Sequence, residues 1–279
     1  MRILITNDDG IDAPGIRALA RAVARAGHDL VVAAPLREAS GSSAAMTAVE
    51  HDGKIVVQRR DLAGAKNVPA YGVAASPAFI VMLALRNAFG PVPDVVFSGI
   101  NRGANAGAAV LHSGTVGATL TASHAGLHGL AVSLDVLTAA SATEPRGVVG
   151  AVAIDDADDD EHRHWVSAAD LALRLLPTLT HTPAGTVLNL NVPDLHLDGI
   201  RGLRQAHLAR FGQVQISIAE AGEGYVRTAV QVADEDLEPG TDLAALAESY
   251  AVVTPIRAPD EAADVRLNLE SIRFHSPAL

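Results

Sequence analysis

The sequence predicts an α/β fold with a doubly wound, Rossmann-like and mostly parallel β-sheet. Short, continuously apolar runs alternate with helix-like segments through the first half of the chain. Such runs are typical of parallel strands that helices cover on both faces, because neither face then meets water. Hydrophobic residues make up 49% and charged residues 19% of the 279 residues, enough for one large α/β domain with an appendage.

The predicted strands of the first half are short and end in polar or glycine-rich segments. They lie at residues 3–6, 29–35, 54–58, 93–101 and 130–134, of which 54–58 is the most peripheral. Length and uniform apolarity favour strands over helices in these runs.

Helices are predicted between these strands from their start signals. Pro14 stands at the first position of a helix with one apolar face. Ser76 and Pro77 are a typical N-cap and first-turn pair for a helix running to about Phe89. Residues 115–125 form the next predicted helix.

The alternation breaks down in an acidic loop insertion at about 140–164. Its charge run at 155–164 predicts a solvated loop. Ser167 and Asp170 then form a capping box for a helix that Pro177 is expected to end at residue 176.

The remainder divides the chain into a core at residues 1–199 and a C-terminal segment at 200–279. Residues 186–193 are predicted as the last strand of the sheet. Beyond them, alternating patterns at 214–219 and 225–232 predict a β-hairpin, followed by a short helix near Asp242–Ser249.

Composition excludes several classes of function. A formal net charge of −11 argues against a protein that binds a nucleic-acid polymer. The chain has no cysteine, which excludes disulfides, thiolate catalysis and cysteine-ligated zinc. With no signal-peptide core or long apolar run, a soluble cytoplasmic protein without a membrane partner is expected.

Three polar loops are expected to meet at the carboxyl ends of the parallel strands, where ligands bind in open α/β sheets. They are Asn7–Gly10, Ser40–Ser43 and residues 98–107. Adjacent carboxylates such as Asp8 and Asp9 repel each other and are hard oxygen ligands, so a Mg²⁺, Mn²⁺ or Ca²⁺ site is one interpretation. The alternative is that Asp8, Asp9 and Asp12 cap the following helix.

A second group of polar residues lies where a loop enters the helix predicted at 115–125. The amides and hydroxyls of Ser113, Gly114 and Thr115 could bind phosphate at the positive end of this helix. An ordinary Ser/Thr N-cap is the alternative. The dinucleotide fingerprint, the P-loop and the G-x-S-x-G motif are all absent.

The polar blocks together resemble the SurE family of nucleotidases. The resemblance lies in ILITNDDGIDAPGI, VVAAPLREASGSS, VFSGINRGANAG and HSGTVGATLTA, in that order, and continues through LAVSL, LNLNVPDL and, weakly, residues 239–256. It covers most of the chain apart from the acidic insertion.

The resemblance implies a metal-dependent phosphatase that acts on nucleoside 5′- and 3′-monophosphates. It places the metal ligands at Asp8, Asp9, Ser40 and Asn101, with one divalent cation per subunit, Mg²⁺ or Mn²⁺, and Ca²⁺ also compatible. It further implies a homodimer or homotetramer in which C-terminal segments are exchanged.

The sequence departs from the family pattern near the expected substrate. It has AASPAF at 74–79, Ala108 and Ala109 after the N-x-G loop, and Ser123 and His124 where the family often has M-E-G. The metal ligands are intact, so these differences concern substrate choice more than reaction type.

The expected reaction is metal-assisted attack of water on a phosphomonoester. Asp8 or Asp9 would accept the water's proton, while Asn7 and residues 113–115 hold the phosphoryl oxygens. A covalent aspartyl-phosphate is the competing route, and His112 is a candidate proton donor to the leaving oxygen. The rival functions are phosphatase activity on another ester or on polyphosphate, and nucleotide or metal binding without turnover.

Overall fold

A computed structural model describes residues 1–136, 160–211, 214–222, 225–232, 237–261, 264 and 266. The strands of these residues are β1 (Arg2–Thr6), β2 (Asp29–Pro35), β3 (Glu50–His51), β4 (Lys54–Ile55), β5 (Val57–Arg59), β6 (Ala70–Val73), β7 (Val95–Arg102), β8 (His128–Asp135), β9 (Thr186–Pro193), β10 (Leu203–Gln205), β11 (Val214–Gly222), β12 (Tyr225–Val232) and β13 (Ala251–Arg257). The helices are α1 (Pro14–Arg25), α2 (Pro77–Ala84), α3 (Gly114–His124), α4 (Trp165–Thr180) and α5 (Asp242–Ala247).

The central sheet has the order β10-β13-β9-β8-β7-β1-β2-β6-β5. The six strands from β9 to β6 are mutually parallel. On one side β13 pairs antiparallel with β9 and parallel with β10, and on the other side β5 pairs antiparallel with β6. This mostly parallel arrangement confirms the predicted α/β class.

Helices cover both faces of the sheet. Ile3 and Ile5 of β1 face a cluster that includes α1 and α4, and Leu4 faces the opposite cluster with α2 and α3. All three side chains have no solvent exposure. Burial on both faces explains why β1 is apolar at every position and not at alternate ones.

The strand order creates a switch point beside β1. The chain proceeds from β1 to β2 and β6 on one side and then returns to β7 on the other side. The loops that leave the carboxyl ends of β1 and β7 therefore diverge and open a crevice between them.

Several predicted element boundaries are wrong. The helix that begins at Pro77 ends at Ala84, and the segment predicted at 54–58 divides into β4 and β5. Pro177 lies inside α4, whose next apolar residue, Leu179, is fully buried. Tertiary packing thus extends this helix past a residue that usually ends one.

The strand at 186–193 is present as predicted, but it is not the last of the sheet. β13 pairs antiparallel with β9 from Val252 to Arg257 and carries β10 at its other side. The predicted hairpin is confirmed as β11 and β12, which form a separate two-stranded sheet. The predicted acidic insertion, up to residue 159, lies outside the described residues.

In the part of the chain that is described, no helix combines the length and apolarity needed to cross a membrane.

Candidate active site

The loop after β1 is held by the side chain of Asn7. Its Nδ2 donates to the Gly10 carbonyl at 2.9 Å, and the Gly10 N–H donates back to Oδ1 at 3.2 Å. Gly10 has φ of +101°, a conformation that L side chains rarely adopt. The fully buried Asn7 thus shapes the turn that presents Asp8 and Asp9.

Asp8 lies against the N-terminus of α3. The Thr115 hydroxyl donates to Asp8 Oδ1, and the backbone N–H groups of Thr115 and Gly114 also stabilise its ionised form. A Cβ at Gly114 would lie only 2.7 Å from Asp8 Oδ2. Glycine at 114 is therefore what lets the carboxylate approach the helix.

The carboxylates of Asp8 and Asp9 lack cationic partners in the described part of the chain. Burial raises the pKa of Asp8, partly offset by the Thr115 hydrogen bond. Burial raises the pKa of Asp9 well above its usual range, and the charge of Asp8 raises it further. Asp9 Oδ2 is buried and makes no hydrogen bond to the described residues. A bound cation would stabilise both ionised forms.

The two neutral candidate ligands lie beside this pair. Asn101 Nδ2 donates to the Gly103 carbonyl at 2.8 Å, and Oδ1 lies 3.5 Å from the Thr115 hydroxyl that also contacts Asp8. Ser40 Oγ donates to Glu38 Oε1 at 2.6 Å and keeps its lone pairs for another partner.

These four residues suit a hard divalent cation. They would supply carboxylate, hydroxyl and amide oxygens, the donors that Mg²⁺ and Mn²⁺ prefer. Among the described residues, no group of three or more His, Cys, Asp or Glu is placed to hold a metal. A cation at this position would therefore depend on Ser40 and Asn101 as well as on the acidic pair.

All four candidate ligands line one cavity of about 640 Å³ at the switch point. Its size lies within the range of small-molecule sites, about 300–1,000 Å³. His112 and Ser113 also line it, together with Arg102, Asp160 and Trp165. The structure thus brings together loops that sequence reasoning had assigned to one edge of the sheet.

The alternative interpretation, that these polar residues only cap helices, is wrong for α1 and correct for Ser113 at α3. No side chain caps α1, whose N-cap residue is Ala13, so Asp8, Asp9 and Asp12 do not serve as its caps. Ser113 does cap α3, because its Oγ accepts from the Val116 N–H at 3.1 Å.

Of the four residues predicted to bind phosphate, only Ser113 lines the cavity. Gly114 and Thr115 are buried and direct their N–H groups toward Asp8. Asn7 is also buried and bonds the Gly10 carbonyl in the turn that carries Asp8 and Asp9.

Asp160 lines the cavity but belongs to the charge run that was predicted to be a solvated loop. That prediction is wrong at this position. The Asp160 side chain is only 19% exposed and pairs with Arg102 at 2.9 Å. Two features of the sequence could have indicated that Asp160 lies at the cavity. They are Arg102, directly after a candidate ligand, and Trp165, the single tryptophan of the chain.

Comparison with known proteins gives a consistent result. The profile of the family described as "Survival protein SurE" matches residues 3–215. A "5'-nucleotidase SurE" from Aeromonas hydrophila subsp. hydrophila is 35% identical over 92% of each chain. A "5'/3'-nucleotidase SurE" from Serratia proteamaculans is 34% identical over 92% of this chain and 90% of the relative.

A solved structure agrees with these relatives. The crystal structure of the SurE protein from Aquifex aeolicus superposes with a TM-score of 0.70 at 26% identity. The similarity covers 95% of this chain and 96% of the other.

Proposed function

The chain belongs to the SurE family, and we propose that it is a metal-dependent nucleotidase that hydrolyses nucleoside 5′-monophosphates, and 3′-monophosphates as well. The observation that carries this proposal is the Asp8–Asp9 pair, in which Asp8 is buried and Asp9 has a buried Oδ2 with no hydrogen-bond partner among the described residues. Two carboxylates that repel each other at the wall of a substrate-sized cavity are explained by a cation that binds both.

The metal ligands in this proposal are Asp8, Asp9, Ser40 and Asn101. A Mg²⁺ or Mn²⁺ held by these residues would supply positive charge that offsets the charge of the phosphoryl group and favours activation of water. Thr115 orients Asp8 through its hydroxyl, and the Gly103 carbonyl orients Asn101.

We also propose roles for residues that surround the metal ligands. In this proposal Asp8 or Asp9 accepts a proton from the attacking water, since both carboxylates line the cavity. Ser113 lines the cavity and is our candidate for a phosphoryl contact. His112, exposed at the rim, is our candidate for the group that protonates the leaving oxygen. Incorporation of ¹⁸O from solvent in a single turnover distinguishes this route from an aspartyl-phosphate.

We further propose that residues 200–279 mediate a homodimer or homotetramer in the cytoplasm. The hairpin exposes apolar side chains, including Ile218 at 70% and Val226 at 60%. Exposed apolar surface of this kind is typical of an interaction surface, and a second copy of the chain would cover it.

The deciding experiment is phosphate release by metal-stripped protein, with and without Mg²⁺ or Mn²⁺. The substrates are 5′-AMP, 3′-AMP, an aryl phosphate and polyphosphate. We expect metal-dependent release from both nucleotides, and a loss of more than about 100-fold in Asp9→Asn, since loss of a ligand exceeds the usual effect of outer-shell changes.

Circular dichroism of Asp9→Asn controls for folding. Release from the aryl phosphate or polyphosphate alone would indicate a phosphatase for another ester. Absence of release with any metal would contradict the proposal and favour a protein that binds nucleotides without turnover.

A further inference from the structure

A 3₁₀ helix at Gly107–His112, which we call the rim helix, forms part of the cavity wall. Ala109 and His112 of this helix line the cavity, and Ser113 follows directly as the N-cap of α3. The imidazole of His112 is exposed. The position of the rim helix therefore determines where His112 can meet a ligand in the cavity.

The buried carboxylate of Asp242 holds the first residue of the rim helix. Asp242 is the first residue of α5 and has no solvent exposure. Its Oδ2 accepts from the Gly107 N–H at 2.7 Å, and its Oδ1 accepts from the N–H groups of Ala209 and Leu243, each at 2.9 Å. Hydrogen bonds to an ionised carboxylate are stronger than those between neutral groups. Asp242 therefore joins the rim helix to α5 and to the segment that precedes β11.

Close packing reinforces this connection. Gly107 has φ of +58°, and a Cβ at this position would lie 2.1 Å from the Phe211 carbonyl oxygen, so the rim helix lies directly against the segment that precedes β11. Near the other end of the rim helix, the Leu111 carbonyl accepts from Ser43 Oγ at 2.7 Å. The rim helix is thus held at both ends, and loss of the bond to Asp242 would release one of them.

We propose, on the basis of the proposed function, that Asp242 is a positioning residue that holds His112 where it protonates the leaving oxygen of the nucleotide. In this step water bonds to phosphorus and gives a proton to Asp8 or Asp9, while the ester oxygen keeps the electron pair of the broken P–O bond. That oxygen takes the proton of His112 and leaves as the nucleoside hydroxyl. Exchange with solvent then returns a proton to His112 and removes the one on the aspartate.

Two kinds of ester differ in their need for this proton. The leaving oxygen of a nucleotide would depart as an alkoxide, a strong base, unless it is protonated. The 4-nitrophenolate ion is a weak base and leaves without a proton. A misplaced His112 should therefore slow the hydrolysis of 5′-AMP and not that of 4-nitrophenyl phosphate.

The test compares kcat of the Mg²⁺-loaded full-length chain on these two esters. In His112→Ala we expect kcat for 5′-AMP to fall about 100-fold, the lower end of the usual effect of a general acid. Asp242→Asn keeps the shape of the side chain, but its amide nitrogen cannot accept from the Gly107 N–H, so a fall of about 10-fold is expected. In both variants kcat for 4-nitrophenyl phosphate should stay nearly unchanged.

A double variant shows whether Asp242 acts through His112. When Asp242→Asn is added to His112→Ala, we expect no further loss of kcat for 5′-AMP, because residues that act as a unit have non-additive effects. Thr241→Val is the matched control, because the neighbouring Thr241 is also buried and its hydroxyl bonds the Glu238 carbonyl and the Ala244 N–H, outside the rim helix. It should leave the ratio of the two kcat values unchanged.

The positioning role is overturned if Asp242→Asn lowers kcat equally for both esters, if the double variant is slower than His112→Ala, or if Thr241→Val changes the ratio as much. It is also overturned if His112→Ala leaves kcat for 5′-AMP unchanged. If circular dichroism shows that Asp242→Asn does not fold, Asp242→Ser replaces it, because the smaller hydroxyl can still accept one N–H. Loss of folding in both variants would assign Asp242 to stability alone and contradict the proposal.

Failure of this proposal is distinguishable from failure of the proposed function. If the wild type releases no phosphate from either ester with any metal, the nucleotidase is refuted and the role of His112 with it. If the wild type hydrolyses both esters and Asp242→Asn slows them to the same extent, only the positioning role is refuted.

Discussion

The carboxylates of Asp8 and Asp9 at the end of β1, and those of Asp160 and Asp194 next to α4, are all shielded from solvent, but their partners differ. Asp160 and Asp194 share Arg163 at 2.7 and 3.0 Å, and Asp160 also contacts Arg102. Asp8 relies on a hydroxyl and helix amides, and Asp9 has a buried oxygen without a hydrogen-bond partner in the described chain.

This contrast separates structural charge from functional charge. A buried carboxylate with a guanidinium partner is compensated within the protein and holds its segment in place. A buried carboxylate without one is unfavourable until a ligand compensates it, so it marks a binding site. Residue type alone does not distinguish these cases, because both regions contain aspartates.

The largest expected effect on stability comes from breaking the compensated network at Arg163. In Arg163→Ala we expect the free energy of unfolding to fall by about 3–5 kcal/mol, because two shielded carboxylates lose their shared partner. Urea denaturation measures the change.

The matched control is Arg174→Ala, which removes an ion pair of 2.7 Å between side chains that are 63% and 42% exposed. It should cost less than about 1 kcal/mol. Equal effects of the two substitutions would contradict the structural role assigned to Arg163.

A smaller effect is expected from removing the hydroxyl that orients Asp8. Thr115→Val preserves shape but leaves Asp8 Oδ1 without this donor, so Mg²⁺ affinity should fall about 10-fold, as for other groups behind a metal ligand. Calorimetric titration of the metal-stripped variant checks this value.

Thr119→Val serves as its control, because Thr119 is equally buried in α3 and donates only to the Val116 carbonyl at 2.7 Å. If both variants lose the same affinity, the cause is damage to α3 and not the loss of the contact with Asp8.

A further expected effect is the pH dependence of the metal-free protein. The pKa values of Asp8 and Asp9 are raised by burial, so the folded state keeps protons that the unfolded chain releases. From the usual aspartate pKa, about 3.9, up to the raised values, the stability contribution of the pair is lost as pH increases. The slope is at most about 1.4 kcal/mol per pH unit for each proton.

Urea denaturation in EDTA over this pH range measures the free energy of unfolding. Comparison of the wild type with Asp9→Asn then gives the contribution of the carboxylate pair. The variant should become more stable than the wild type as pH rises, and saturating Mg²⁺ should remove its advantage because the metal binds the ionised carboxylates. A constant difference at every pH would contradict the assigned cause.

Sequence reasoning was most successful where a pattern is local. The apolar runs at 29–35 and 186–193 coincide with β2 and β9, and Pro14 begins α1. It failed at Pro177 and at the short β6, where packing against other elements outweighs local preference.

The pairing of strands on the outer side of β9 could not be predicted from local sequence patterns. β13 pairs antiparallel with β9, from which it is separated by more than fifty residues of chain. The residue pattern of β13 does not predict which strand it pairs with. Asp160 was misassigned for the same reason, because its partner Arg102 lies on a different element.

The sequence by itself determined the α/β class, the polar loops at the strand ends and the oxygen ligands that suit a divalent cation. Only the tertiary structure decided which polar groups contact each other. Thr115 meets Asp8 across 107 residues of chain, Gly114 also directs its N–H toward Asp8, and Asn7 bonds the Gly10 carbonyl. Hydrogen bonds and ion pairs act over about 3 Å, and such proximity between distant residues is set by how the elements pack.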